Sequence, residues 1–121
     1  MKKIILLISA LFFVTGCASM PSQQERENAY YGPYPINYEQ IVIAALPKYV
    51  KDPANTLLDF PERPKKRYLL KPMSTQVEYG WGGIVLLLEK KDAKRPEAAK
   101  PYLYIIRDDA LVYFDTDYKM Q

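Results

Sequence analysis

Charge and hydropathy divide the chain into stretches of different period. Lys2 and Lys3 precede an uncharged apolar run from Ile4 through Val14, interrupted only by Ser9. A cationic start followed by a short apolar core is the pattern of a secretory leader. A membrane-spanning helix needs roughly 20 apolar residues to cross about 30 Å of hydrocarbon, so this run is a leader rather than a permanent anchor. From Ala18 to Asn28 the residues become small and polar with no apolar period to bury, which predicts a flexible tether.

After a cluster of Tyr30, Tyr31, Gly32, Pro33, Tyr34 and Pro35, a helical period takes over. Tyr38, Ile41, Val42, Ala45 and Tyr49 fall on one helical face. Asn37 reads as the N-cap, Gln40 lies where a capping box needs it, and Ile36 and Ile41 occupy the two positions of a hydrophobic staple. Pro47 predicts a kink or a restart, because proline lacks the backbone N–H and its ring crowds the preceding turn. Lys51, Asp52 and Pro53 predict the stop, since the residue before proline avoids the helical region.

The period then shortens to that of strands: Thr56 to Phe60, Arg67 to Lys71, Gln76 to Trp81, Ile84 to Lys90, Tyr102 to Arg107 and Leu111 to Asp115. Gly82 and Gly83 sit between the two strongest runs and leave open either a hairpin turn or a bulge in one long strand. Asp108, Asp109 and Ala110 form a short polar break of the hairpin kind. One helix followed by a series of strands predicts an α+β fold, an N-terminal helix packed on a small, mostly antiparallel sheet, preceded by a signal peptide and a flexible tether.

The leader ends in Val14, Thr15, Gly16 and Cys17, which resembles the lipobox of bacterial lipoprotein precursors. The resemblance implies cleavage between Gly16 and Cys17, a diacylglycerol on the Cys17 thiol and an N-acyl chain on the new amine, with no other cofactor. Cys17 is the only cysteine, and a lone free thiol in an exported protein would invite stray oxidation. Acylation removes that anomaly, and two or three chains at about 0.8 kcal/mol per buried methylene hold firmly to a bilayer. The chain then divides into a signal peptide (1–16), a lipidated N-terminus and polar tether (17–29) and a small α+β periplasmic domain (30–121). By likeness to lipoprotein sorting in Gram-negative bacteria, Ala18 after the lipidated cysteine points to the outer membrane, facing the periplasm.

The segments YGPYP, NYE, KDP, YGW and YLYIIRDDALVYF also resemble a loosely defined group of small, uncharacterised envelope lipoproteins of Gram-negative bacteria. That likeness implies a fold more than an activity. It departs before the last hairpin, where a longer glycine-rich loop is expected and a charged stretch from Lys90 to Lys100 stands instead.

Composition narrows the chemistry. Lys+Arg exceeds Asp+Glu by three, and two of those cations lie in the leader, so nothing argues for nucleic acid. With no disulfide to hold it, the domain depends on its apolar core, to which 11 Tyr, 4 Phe and 1 Trp contribute large areas. No histidine is present, which removes the commonest general base and transition-metal ligand. Ser74 therefore has no activating base, and Asp108 with Asp109 or Asp115 with Asp117 read as solvated neighbours rather than as a catalytic pair. These absences predict no enzyme and no metal site.

Aromatic residues are the remaining site candidates: Tyr30, Tyr31 and Tyr34 as a stacking surface, and Tyr79 with Trp81 on one face of a strand. Two function classes follow. One is an envelope interaction or structural lipoprotein, including an accessory subunit of an envelope protein complex. The other is a binding module for peptidoglycan, glycan or another exported ligand. In both, the membrane is a partner through the lipid anchor.

Overall fold

The backbone of the domain is organised by one long strand. The computed structural model describes residues 20–70 and 76–116. Its elements are helix α1 (Gln23–Asn28), helix α2 (Tyr38–Ala45), and strands β1 (Thr56–Asp59), β2 (Lys65–Leu70), β3 (Val77–Glu89), β4 (Lys100–Arg107) and β5 (Ala110–Asp115), with single 3-10 turns between several of them. The architecture is α+β as expected, with α2 packed on a wholly antiparallel five-stranded sheet.

Strand β3 pairs along one edge with β4 and along the other with β1 and then β2. Asp59 faces Leu86 and Lys65 faces Gly82, so residues 60–64 lie opposite only residues 83–85 and the register slips by two. The slip contains Pro61 and Pro64, which cannot donate to a ladder. Arg67 secures the break: its Nε donates to the Gly82 carbonyl at 3.0 Å and its other arm pairs with Glu62 at 3.1 Å.

The two runs expected between Gln76 and Lys90 are thus one strand, Val77–Glu89, with neither of the two features left open at Gly82 and Gly83, since its register with β4 is unbroken from Trp81 to Leu87. The glycines are there because β4 approaches so closely. A Cβ on Gly83 would lie 2.8 Å from the Tyr104 hydroxyl, and one on Gly80 would lie 2.6 Å from both the Ile106 carbonyl and the Ile105 side chain. Tyr104 occupies the space that Gly83 leaves, and it is fully buried.

Alternation along the strands gives two faces. On one, Val85, Leu87, Tyr104, Ile106 and Phe114 join Val42 and Leu46 of the helical segment to form the main core. On the other, Leu69, Leu103 and Ile105 form a smaller cluster. Asp108 and Asp109 both take positive φ, 56° and 59°, which makes the β4–β5 connection a two-residue hairpin turn of the type whose twist matches the strands.

Helix α2 corrects several expectations. Asn37 does stand at the N-cap but makes no side-chain cap bond, because its ψ of 36° departs from the extended backbone a cap needs. No staple forms, since Ile36 is 82% exposed. The buried positions are Val42 and Leu46, with Tyr38, Ile41 and Ala45 half-buried, while Tyr49 is largely exposed. Pro47 restarts the chain as a 3-10 turn over Leu46–Lys48, where its missing N–H is not needed.

Part of the stretch expected as tether is helical. Ser22 and Glu25 form a complete capping box at the head of α1, and the Tyr31 hydroxyl donates to the Arg26 carbonyl at its tail. The leader, Cys17 with the cleavage position Gly16, Lys71, Ser74 and Asp117 lie outside the described residues.

Two outcomes follow. Leu46→Ala should cost about 2–5 kcal/mol for the cavity it leaves, whereas Ile36→Ala and Asn37→Ala should stay within about 0.5 kcal/mol of the parent. Denaturant midpoints check this, and an Asn37→Ala loss equal to that of Leu46→Ala would contradict the geometry. The second concerns Tyr104, whose hydroxyl is buried with no hydrogen-bond partner among the described residues and whose ionisation is pushed well up, chiefly by burial. Below pH of about 10 both folded and unfolded chains hold that proton; above it the unfolded chain sheds its proton first and stability falls. Tyr104→Phe should flatten part of that alkaline fall and leave neutral-pH stability equal or higher by about 1 kcal/mol, because an unsatisfied buried hydroxyl is removed.

Candidate functional site

All five aromatic residues singled out in the sequence meet on one surface, at the Val77 end of β3. Tyr79 and Trp81 alternate onto the face that carries the main core, and the Tyr30–Pro35 segment crosses them. Tyr31 meets Tyr79 edge-on with ring centres 5.6 Å apart, and Tyr34 meets Trp81 likewise at 5.1 Å. The Trp81 indole N–H donates to the Gly32 carbonyl at 3.0 Å. Gly32 has a φ of +78°, and a Cβ there would press on the Asp108 backbone nitrogen at 3.0 Å, so the close passage over the hairpin tip requires glycine.

Cations complete this seam. Lys66 lies 5.3 Å from the Tyr31 ring centre and 5.8 Å from that of Trp81, and Arg26 of α1 lies 5.2 Å from that of Tyr68. The Tyr30 hydroxyl donates to Asp108. That bond, with the carboxylate's charge beside it, raises the Tyr30 ionisation, while burial is the main cause of the rise at Tyr31 and Tyr79. The rings mostly contact one another, and only Tyr30 and Tyr34 keep substantial exposure, 64% and 40%.

A second feature lies at the opposite end of the sheet. A cleft of about 790 Å³ opens between the Tyr49–Asp52 segment, Asn55 with the first residue of β1, Thr56, the last residues of β3, the first of β4, and the charged loop after β3. Tyr49 and Tyr102 line it and share a brace: Tyr102 stacks on Phe114 at 4.8 Å, and Tyr49 leans on the same ring at 5.2 Å. Lys51, Lys90, Lys91 and Lys100 face Asp52, Glu89 and Asp92 around it. Glu89 is taken by Lys91 at 3.2 Å and Asp92 by Arg95 at 3.9 Å, while Asp52 accepts from the Asn55 amide at 2.8 Å.

Sequence reasoning noted the Lys90–Lys100 loop but not this cleft, whose lining comes from separate segments with no common motif. The usable signal was the pair of tyrosines flanking it, Tyr49 and Tyr102, which local periodicity assigned to a helix stripe and a strand. Elsewhere, Arg107 pairs with Glu78 and also donates to the Tyr79 carbonyl at 2.7 Å, an arrangement that ties β4 to β3. Among the described residues there is no group of three or more metal-ligating side chains, and no helix is long and apolar enough to cross a membrane.

Comparison with known proteins places a class of anchor ahead of this domain. Residues 1–18 match the prokaryotic membrane lipoprotein lipid attachment site, a stretch that includes Cys17. The chain therefore carries a lipoprotein attachment motif followed by an α+β domain. No curated protein and no solved structure matches it.

The Tyr30–Asp108 bond has a measurable consequence. Replacing Asp108 with Asn removes the negative charge that opposes phenolate formation, so the Tyr30 ionisation should fall back toward its ordinary value. Ring resonances followed through an alkaline titration read this directly, and an unmoved Tyr30 midpoint would show that the contact is not formed in solution.

Proposed function

We propose that this protein is a lipid-anchored, non-catalytic interaction module of the bacterial cell envelope, carried by acyl chains on Cys17 and held in the outer membrane facing the periplasm. The observation that carries the reading is the attachment motif over residues 1–18, set immediately before an ordered body. The chemical inventory supports a binding rather than a catalytic role, since the sequence holds no histidine and its one cysteine falls within the motif.

The spacing between anchor and body gives the reading a geometry. Cys17 and the capping residue Ser22 are five positions apart, so even fully extended the link spans at most about 17 Å. Helix α1 is docked on the sheet through Arg26 and Tyr31. The domain is therefore carried close to the bilayer by its α1 end. It cannot range far to meet a partner, and what it binds must come to it or lie next to the membrane.

Cys17→Ser tests the anchor, because the hydroxyl is not the thiol to which diacylglycerol is transferred. The parent chain should incorporate labelled fatty acid and sediment with outer membranes, and the variant should do neither and keep its leader. Label on the Cys17→Ser variant would overturn the reading of Cys17, and parent protein confined to the inner membrane would overturn the placement inferred from Ala18.

A further inference from the structure

Resting on that reading, we propose that the cleft at the Glu89 end of the sheet is a binding site for an acidic saccharide of the cell-wall polymer, amino sugars bearing a carboxylate. Three observations converge on this chemistry. The first is the aromatic floor: Tyr49 and Tyr102 are both braced by Phe114, which is itself only 6% exposed, so their rings are held rather than free. A pyranose presents a face of C–H groups that packs on such rings, and its hydroxyl and amide groups meet polar neighbours here in Asn55, Thr56 and Asp52.

The second is charge. Of the rim acids, Glu89 is paired with Lys91 and Asp92 with Arg95, while Asp52 keeps its charge and accepts from the Asn55 amide. Lys51, Lys90 and Lys100 have no acidic partner among the described residues. The lining carries four lysines against three acids, so the balance of charge favours an anionic sugar over a neutral one. The volume, about 790 Å³, is within the range of ligand clefts, about 300–1,000 Å³.

The third is position. Helix α1 docks near Tyr79, while the cleft is walled by Leu87 to Glu89. Tyr79 and Leu87 are eight positions apart on the strand, about 26 Å at 3.3 Å each, whereas the link from Cys17 to Ser22 reaches at most about 17 Å. The head of α1, where the link from Cys17 arrives, and the cleft therefore lie toward opposite ends of β3. A carboxylate on a polymer standing off the membrane fits this placement better than a lipid phosphate within it.

The test uses the full acylated protein in detergent, sedimented with purified peptidoglycan sacculi. The parent should be retained and be released by about 0.5 M NaCl. An N-acetylmuramyl disaccharide, which carries a carboxylate, should displace it, and neutral chitobiose should not. Lys51→Gln combined with Lys100→Gln should lower affinity about tenfold. Tyr49→Ala should lower it too, and Lys94→Gln, outside the lining, should leave it unchanged.

Absent retention, equal competition by chitobiose, equal loss with Lys94→Gln, or displacement by phosphatidylglycerol vesicles would each overturn the proposal, the last in favour of bilayer phosphate. Fatty-acid label counted on the same preparations separates the two readings. Label without retention sinks the cleft alone, and retention without label sinks the anchor alone.

Discussion

Strand β3 carries no side chain at positions 80, 82 and 83, and the close packing of the whole domain depends on that gap. Its neighbour β4 has a large residue at every buried position from Leu103 to Ile106, so two bulky rows would otherwise collide across the ladder. With hydrogen at Gly83, Tyr104 lies flat over the strand and becomes the surface on which Tyr38 and Phe60 rest. With hydrogen at Gly80 and Gly82, Ile105 and Arg67 lie over the other face. Extra volume at such contacts is destabilising by about 1–3 kcal/mol, since a packed interior cannot yield freely. The same gap divides the covered face: α2 lies over the Val85 and Leu87 half, and the tyrosine segment lies over the Tyr79 and Trp81 half.

That division explains why local sequence patterns read some features and missed others. The helix and all the strands left a period of their own, and Asp108 with Asp109 left a turn signature. Gly82 and Gly83 were ambiguous because glycine usually marks a break, and what they accommodate, Tyr104 and Ile105, comes from another strand. Leu46 escaped the helical stripe because Pro47 follows it, although the 3-10 restart turns Leu46 inward. Helix α1 has no buried residue and hence no stripe, yet Ser22 and Glu25 stood at capping-box spacing and were readable. The cap expected of Asn37 failed for a backbone reason that no side-chain pattern reports.

The site candidates show the same limit. Tyr30, Tyr31 and Tyr34 stand out as rings among glycine and prolines, Tyr79 and Trp81 as rings two apart on one strand face, and the two groups do come together. Most of their faces meet each other, Lys66 or the Gly32 backbone. The cleft needed the fold to appear, because Tyr49, Thr56, Leu87 and Tyr102 become neighbours only once β1, β3 and β4 are in register.

Length then connects anchor to cleft. In a sheet of short strands the head of α1 would lie near every loop, and no surface would be distinguished from any other. Here β3 runs through 13 residues, about 40 Å from end to end at the rise of a strand. The tyrosine seam fastens α1 to one extremity of that strand, while the charged loop and the braced tyrosines gather at the other. The three glycines make this separation possible, because they allow one uninterrupted strand to be packed on both faces along its length. A hairpin turn at Gly82 and Gly83 would have folded the cleft back toward α1; the continuous ladder from Trp81 to Leu87 carries it away.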